Sequence, residues 1–200
     1  MDKNLLIIFA KNPILGKTKT RLAASIGEKK ALVIYKKLIE KTANIIGELS
    51  IEKELYYSDF IEKNDVWNNK VTRKKTQQGK SLGERMENAF KNGFAEGYKN
   101  IVIIGTDLWD LETLEIEKAF VSLEKNEGVI GPAQDGGYYL LGLSKWNPTV
   151  FQNKKWGTST VLKETLACFD KKVVDNLKTK NDIDTIEDLR AFPDLIKFIE

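Results

Sequence analysis

Four cations stand directly behind the first apolar run of this chain. Lys11, Lys17, Lys19 and Arg21 follow Leu5–Ala10 in one short stretch that also holds Pro13 and Gly16. A buried strand that opens into a flexible cationic loop and then a helix offers backbone N–H groups and positive charge to a phosphate. The loop is not a Walker A, because Gly16-Lys17-Thr18 lacks the upstream glycine of that pattern, and it is not GxGxxG. Lysine is abundant here, so a solvated basic loop is the competing reading. The position behind a strand end favours a polyphosphate site.

Carboxylates follow other apolar runs in the same way. Ile101–Ile104 leads into Gly105-Thr106-Asp107, where Asp107 suits either a helix cap or a divalent cation. Facing the same cleft as Lys17 and Arg21, it is read as a metal ligand. Val129-Ile130 leads into Gly131-Pro132-Ala133-Gln134-Asp135-Gly136-Gly137-Tyr138-Tyr139-Leu140. Asp135-Gly136-Gly137 is a strong turn signal that a plain hairpin would explain, yet two glycines also let the backbone approach a ligand. Tyr138 or Tyr139 is placed to pack on a base or sugar. In Asp182-Ile183-Asp184-Thr185-Ile186-Glu187, Asp184 with Glu187 has the form of a capping box, which leaves Asp182 free to reach a metal.

Absences narrow the chemistry. The chain has no histidine, which removes Ser-His-Asp and Cys-His mechanisms and histidine metal ligands. Its single cysteine, Cys168, lies in an amphipathic pattern and reads as a small buried side chain. A metal must therefore be held by oxygen, as Mg²⁺, Mn²⁺ or Ca²⁺ are. Lys+Arg 32 against Asp+Glu 29 gives no argument for nucleic acid as partner. Leu5–Ala10 is too short to span a membrane and no signal-peptide core follows Lys3, so a soluble, cytoplasmic protein without a membrane partner is expected.

The elements that must position these residues alternate. Strands are expected at Leu5–Ala10, Leu55–Tyr57, Val71–Gln78 (weaker, near an edge), Ile101–Ile104, Gly128–Gly131, Tyr138–Leu143 and Lys172–Val174. Helices are expected at Glu28–Leu49, from a Ser81/Glu84 capping box to Gly97, at Leu111–Leu123, at Thr160–Phe169, and at Ile186–Ile199 interrupted by Pro193. This order predicts an α/β domain spanning 1–200, with a doubly wound, mostly parallel sheet and helices on both faces. Ligands then bind beyond the carboxyl ends of the strands.

Five blocks, in order, carry a resemblance. They are Phe9-Ala10-Lys11-x-Pro13-x-x-Gly16-x-x-Lys19-Thr20-Arg21-Leu22, Leu82-Gly83-Glu84-Arg85-Met86, Gly105-Thr106-Asp107, Gly131-Pro132-Ala133-x-Asp135-Gly136-Gly137-Tyr138-Tyr139-Leu140 and Asp182-x-Asp184-Thr185. Together they resemble the bacterial DUF2064 family, also called radical-SAM/selenodomain-associated transferase 1 and often labelled glycosyltransferase. That family is similar to phospholactate and molybdopterin guanylyltransferases. The resemblance implies a GT-A-like nucleotide-diphospho-sugar transferase fold. It implies that Ala10, Lys11, Gly16, Lys17, Lys19, Arg21, Gly83 and Arg85 hold the nucleotide and its phosphates. Asp107, Asp182 and Asp184 become metal candidates, and Asp135, Gly136, Gly137 and Tyr138 line the acceptor side. One departure is Trp109, where the family usually has proline two residues after the Asp of Gly-Thr-Asp. This predicts a loop of different rigidity and a different acceptor shape.

The expected activity is metal-dependent transfer from a nucleotide-activated donor to a small-molecule acceptor, with Lys19, Arg21 and Asp107 as the catalytic set and Mg²⁺ (or Mn²⁺) as cofactor. The dense cations favour an NTP and nucleotidyl transfer with release of pyrophosphate. The family label favours a nucleotide-sugar donor and glycosyl transfer. A non-catalytic nucleotide-binding protein on the same fold is the third reading.

Overall fold

The first apolar run buries both of its faces, and this sets the architecture. In the computed structural model, which describes residues 3–170 and 174–200, β1 (Asn4–Ala10) lies in the interior of a sheet. Leu6, Ile8 and Ala10 point into one apolar cluster and Leu5 and Ile7 into the other, as strand alternation requires. β1 pairs in parallel with β2 (Glu52–Tyr57) and β4 (Asn100–Ile104). The remaining strands are β3 (Arg73–Thr76), β5 (Gly128–Pro132), β6 (Tyr138–Leu143) and β7 (Val174–Asn176). Among the described residues the order is β3-β2-β1-β4-β6-β5-β7, with β6 alone antiparallel to its neighbours β4 and β5. The polar segment expected near an edge is β3. Of the expected strand Lys172–Val174, Lys172 and Val173 lie outside the described residues.

Helices cover both faces. On one lie α1 (Thr20–Ile26), α2 (Glu28–Gly47), α4 (Thr113–Leu123), α6 (Ile186–Arg190) and α7 (Pro193–Ile196). α2 forms because Ala31, Ile34, Tyr35, Leu38, Ile45 and Ile46 recur at helical spacing and bury one stripe. The opposite face carries α3 (Leu82–Ala95) and α5 (Val161–Leu166). α5 is shorter than the Thr160–Phe169 expected. The closing segment splits at Pro193, which starts α7. Among the described residues no helix is long and apolar enough to cross a membrane.

Two caps differ from the sequence expectation. Ser81 accepts the Glu84 amide at 3.2 Å as expected, but the Glu84 carboxylate takes the Lys80 amide rather than that of Ser81. The box proposed for Asp184 and Glu187 is displaced by one residue. Thr185 is the cap and Asp188 its partner, with the Asp188 carboxylate accepting the Thr185 amide at 2.8 Å. A hydroxyl and a carboxylate three residues apart satisfy both orphan amides, so Asp184 keeps its side chain for other partners.

All parallel strands end at one edge of the sheet, and their loops gather there. Asn12, 2% exposed, ties two of these loops together. Its amide nitrogen donates to the Phe60 carbonyl at 2.9 Å, and its side-chain oxygen accepts the Asp59 amide at 3.0 Å and that of Phe60 at 3.3 Å. Replacing it with alanine leaves these partly buried amides without their acceptor. Asn12→Ala is expected to lower unfolding free energy by about 2 kcal/mol in urea titration.

Candidate active site

Beyond the carboxyl ends of β1, β4 and β5 lies a cavity of about 490 Å³, within the range of small-molecule sites. Phe9, Met86, Tyr138 and Trp156 form its wall on the α3 face, and Tyr35, Leu108, Leu111 and Tyr139 on the α2 face. Its charged lining is Lys11, Arg85, Asp107, Asp135 and Asp182.

Tyr35 joins the two loops nearest the sheet centre. Its hydroxyl accepts the Lys11 amide at 2.9 Å and lies 3.0 Å from the Thr106 hydroxyl. Burial, then the charge of Asp107, pushes its pKa up to about 12, so it stays a neutral hydrogen-bonding group. Helical spacing alone places Tyr35 only on the apolar stripe of α2. A hydroxyl within an otherwise aliphatic stripe was the available signal. Trp156, on a segment given no role, is the other residue missed.

Lys19 occupies the centre of an ion cluster. Its ammonium lies 2.5 Å from Asp107 and 2.8 Å from Asp184, and its side chain is only 4% exposed. Burial alone would lower its pKa, but the charges of Asp107 and Asp184 and the hydrogen bonds to both raise it above the usual lysine value. Lys19 caps α1 in the left-handed region, φ 50° and ψ 45°, a conformation that non-glycine residues keep only where surrounding contacts enforce it. Arg21 also bonds Asp184. For Asp184 burial works against ionisation, but Lys19 and Arg21 outweigh it and hold the carboxyl below its usual range.

The C-terminal segment reaches this place through a short run of hydrogen bonds. Lys180 donates its backbone amide to Pro132 and its side chain to the Asp110 carbonyl, at 3.0 and 2.6 Å. The Ile183 amide then donates to the Asp107 carbonyl at 3.0 Å. Asp182 is thereby set on the cavity wall with Asp135 and Asp107. Burial, then the charges of Asp135 and Asp184, pushes its carboxyl up to about 6. Among the described residues no three acidic, cysteine or histidine groups converge closely enough to share a metal. The donors nevertheless fit Mg²⁺ or Mn²⁺. All are oxygen, and the raised Asp182 marks a surplus of negative charge that a divalent cation would relieve.

The other sequence candidates are distributed as follows. Ala10, Lys11, Arg85, Asp135, Gly137 and Tyr138 line the cavity, whereas Gly16, Lys17, Lys19, Arg21, Gly83, Gly136 and Asp184 do not. Gly16 and Lys17 are exposed on the loop. Gly83 is buried where the Trp156 indole crosses α3, and a Cβ there would collide with the ring. Gly136, at φ 88°, turns the β5–β6 hairpin against the Ser159 backbone. Arg85 bonds the Gly79 carbonyl at 3.1 Å and has no carboxylate partner among the described residues. Trp109 faces away from the cavity and packs edge-on against Phe198, ring centroids 6.4 Å apart. The expectation that Trp109 alters acceptor shape is therefore not supported by direct contact, and Asp107 remains turned to Lys19.

Comparison with known proteins follows this geometry. A profile of the family described as "Uncharacterized protein conserved in bacteria (DUF2064)" matches residues 42–158. A proposed nucleotide-diphospho-sugar transferase from Desulfovibrio desulfuricans G20 is 31% identical, with TM-score 0.85, covering 96% of this chain and 86% of that one. Rv0371c from Mycobacterium tuberculosis H37Rv, solved with manganese, is 13% identical with TM-score 0.52, covering 96% and 98%. CMP:2-keto-3-deoxy-manno-octonic acid synthetase, solved with CTP, is 9% identical with TM-score 0.51, covering 100% of each chain. The last two show a shared fold. Among curated proteins none matches.

Two outcomes test the geometry. Tyr35→Phe keeps the ring but leaves the Lys11 amide without its acceptor, and is expected to cost about 1–2 kcal/mol in denaturant unfolding. Asp182 takes up a proton at about 6 when folded but at ~3.9 when unfolded. The folded chain thus binds more protons between these values, so stability falls as pH rises through that window and stays lower above it. In metal-free buffer Asp182→Asn should melt above the wild type at pH 7.5, and the two should converge below pH 4.

Proposed function

We propose that this chain, which belongs to the DUF2064 family, is a metal-dependent transferase that moves a nucleotidyl group from an NTP to a small acceptor and releases pyrophosphate. One observation carries the reading. Lys11 from the loop after β1 and the carboxylates after β4 and β5 line a single cavity on the carboxyl edge of the sheet, and Lys19 of the same loop pairs with Asp107. The relatives solved with CTP and with manganese support it through their common fold.

Each residue has a definable task. Lys11, Lys17, Lys19 and Arg21 would bind the phosphates and take up the charge that builds on the departing pyrophosphate. Tyr35 holds the Lys11 backbone in register with the Asp107 loop. Asp107, Asp182 and Asp184, with Asp135 beside them, would hold Mg²⁺ or Mn²⁺, which would supply charge neutralisation at the phosphate. Arg85, free of a carboxylate, would contact the nucleotide, and Gly83 would serve that contact by letting Trp156 close on α3. Gly136 and Gly137 would bring the backbone, and Tyr138 its ring, to the acceptor. Most of the rate would then come from positioning and electrostatics.

Glycosyl transfer from a nucleotide sugar is the second reading, favoured by a specific feature. The acceptor-side wall bears Asp135 and Asp182 with no cation paired to either among the described residues, which suits a neutral hydroxyl acceptor better than an anionic one.

A thermal-shift panel of NTPs and nucleotide sugars with Mg²⁺ or Mn²⁺ tests both. Metal-dependent stabilisation by one free triphosphate is expected, and a preference for a nucleotide sugar would replace the first reading with the second. No shift with any of them at saturation would refute both. Arg21→Ala should weaken nucleotide affinity by about tenfold, the loss of one charge-assisted hydrogen bond.

A further inference from the structure

Resting on the transferase reading, we infer that Lys19 couples phosphate binding to metal binding. Its ammonium holds Asp107 and Asp184 as an internal counter-ion, and releases them when a polyphosphate draws it away. The free protein then binds a divalent cation weakly, and the polyphosphate-bound protein binds it tightly.

The geometry requires a competition. Lys19 lies 2.5 Å from one Asp107 oxygen and 2.8 Å from one Asp184 oxygen, so an incoming cation must contend for the same atoms. With Arg21 also on Asp184, the two carboxylates face two cations and their charge is balanced. A balanced pair attracts a divalent ion far less than a bare one does. Lys19 also begins α1, immediately after the loop that carries Lys17, and its backbone sits in the left-handed region. A polyphosphate on the loop offers Lys19 alternative anions and frees both carboxylates together. Linkage makes the effect mutual: whatever factor phosphate adds to metal affinity, metal adds to phosphate affinity.

The test is Mn²⁺ titration of the full chain, read by the EPR signal of free Mn²⁺, with and without saturating pyrophosphate and against a protein-free blank. Wild type is expected to bind Mn²⁺ weakly alone and at least tenfold more tightly with pyrophosphate. Lys19→Met should bind Mn²⁺ at least tenfold more tightly than wild type without pyrophosphate, and gain less than threefold from adding it. Lys19→Arg, which keeps the cation, should stay weak alone, and Lys29→Met on exposed α2 should match wild type. Circular dichroism melts confirm that each variant is folded.

Equal Mn²⁺ affinity of wild type and Lys19→Met in the absence of pyrophosphate would overturn the coupling, as would Lys19→Arg behaving like Lys19→Met. A pyrophosphate enhancement of equal size in wild type and Lys19→Met would do the same, because it would come from chelation alone. If wild type binds neither pyrophosphate nor any nucleotide, the transferase reading fails instead, and the first comparison still decides the role of Lys19.

Discussion

The ion cluster of the buried Lys19 with Asp107 and Asp184 is the constraint on which the site depends. It joins three segments that are distant in sequence: the loop after β1, the loop after β4, and a C-terminal segment 165 residues from the first. A buried ammonium is tolerated only when paired, and removing either partner leaves a charge whose desolvation is uncompensated. Each segment therefore specifies the position of the other two. Tyr35 adds a second tie between the first two loops, and the Ile183 amide on Asp107 adds one between the last two.

The sheet supplies the place where these ties can form. Parallel strands send their carboxyl ends to one edge, so loops far apart in sequence become neighbours without any special connection. The antiparallel β6 has a separate use. It returns the chain directly from β5 through the Asp135-Gly136-Gly137 turn and so places a carboxylate beside Asp182. A parallel partner in its place would need a longer crossover connection.

Much of this was legible in the residues. Continuous apolar runs such as Leu5–Ala10 announce interior strands, and the rule that ligands lie beyond strand ends led directly to Lys11 and Asp107. What escaped the reading depends on three-dimensional partners. The capping register at Asp184 was missed because Asp and Thr are both good caps, and only the fold shows that Asp184 faces Lys19. Gly83 reads as a phosphate glycine in its block, yet the reason for its lack of a side chain is Trp156, more than 70 residues away. Lys19 and Lys17 look alike in sequence, but one is buried between carboxylates and the other is exposed. Periodicity could not separate them, because the difference is made by a segment at the opposite end of the chain.

The charge on the cavity wall argues that metal and nucleotide belong to one event. Lys11 and Arg85 stand against Asp107, Asp135 and Asp182, while Lys19 and Arg21 are already engaged with Asp107 and Asp184. A polyphosphate approaching these walls meets no surplus of positive charge, so its binding cannot rest on the lining alone. Two changes would reverse the balance: Lys19 and Arg21 turning from Asp184 to the phosphates, and neutralisation of the carboxylates so exposed. Neither is favourable by itself, since the first leaves bare carboxylates and the second lacks the ligands that Lys19 still holds. Each supplies what the other lacks, and a site built this way would resist both free cations and free phosphates until they arrive together.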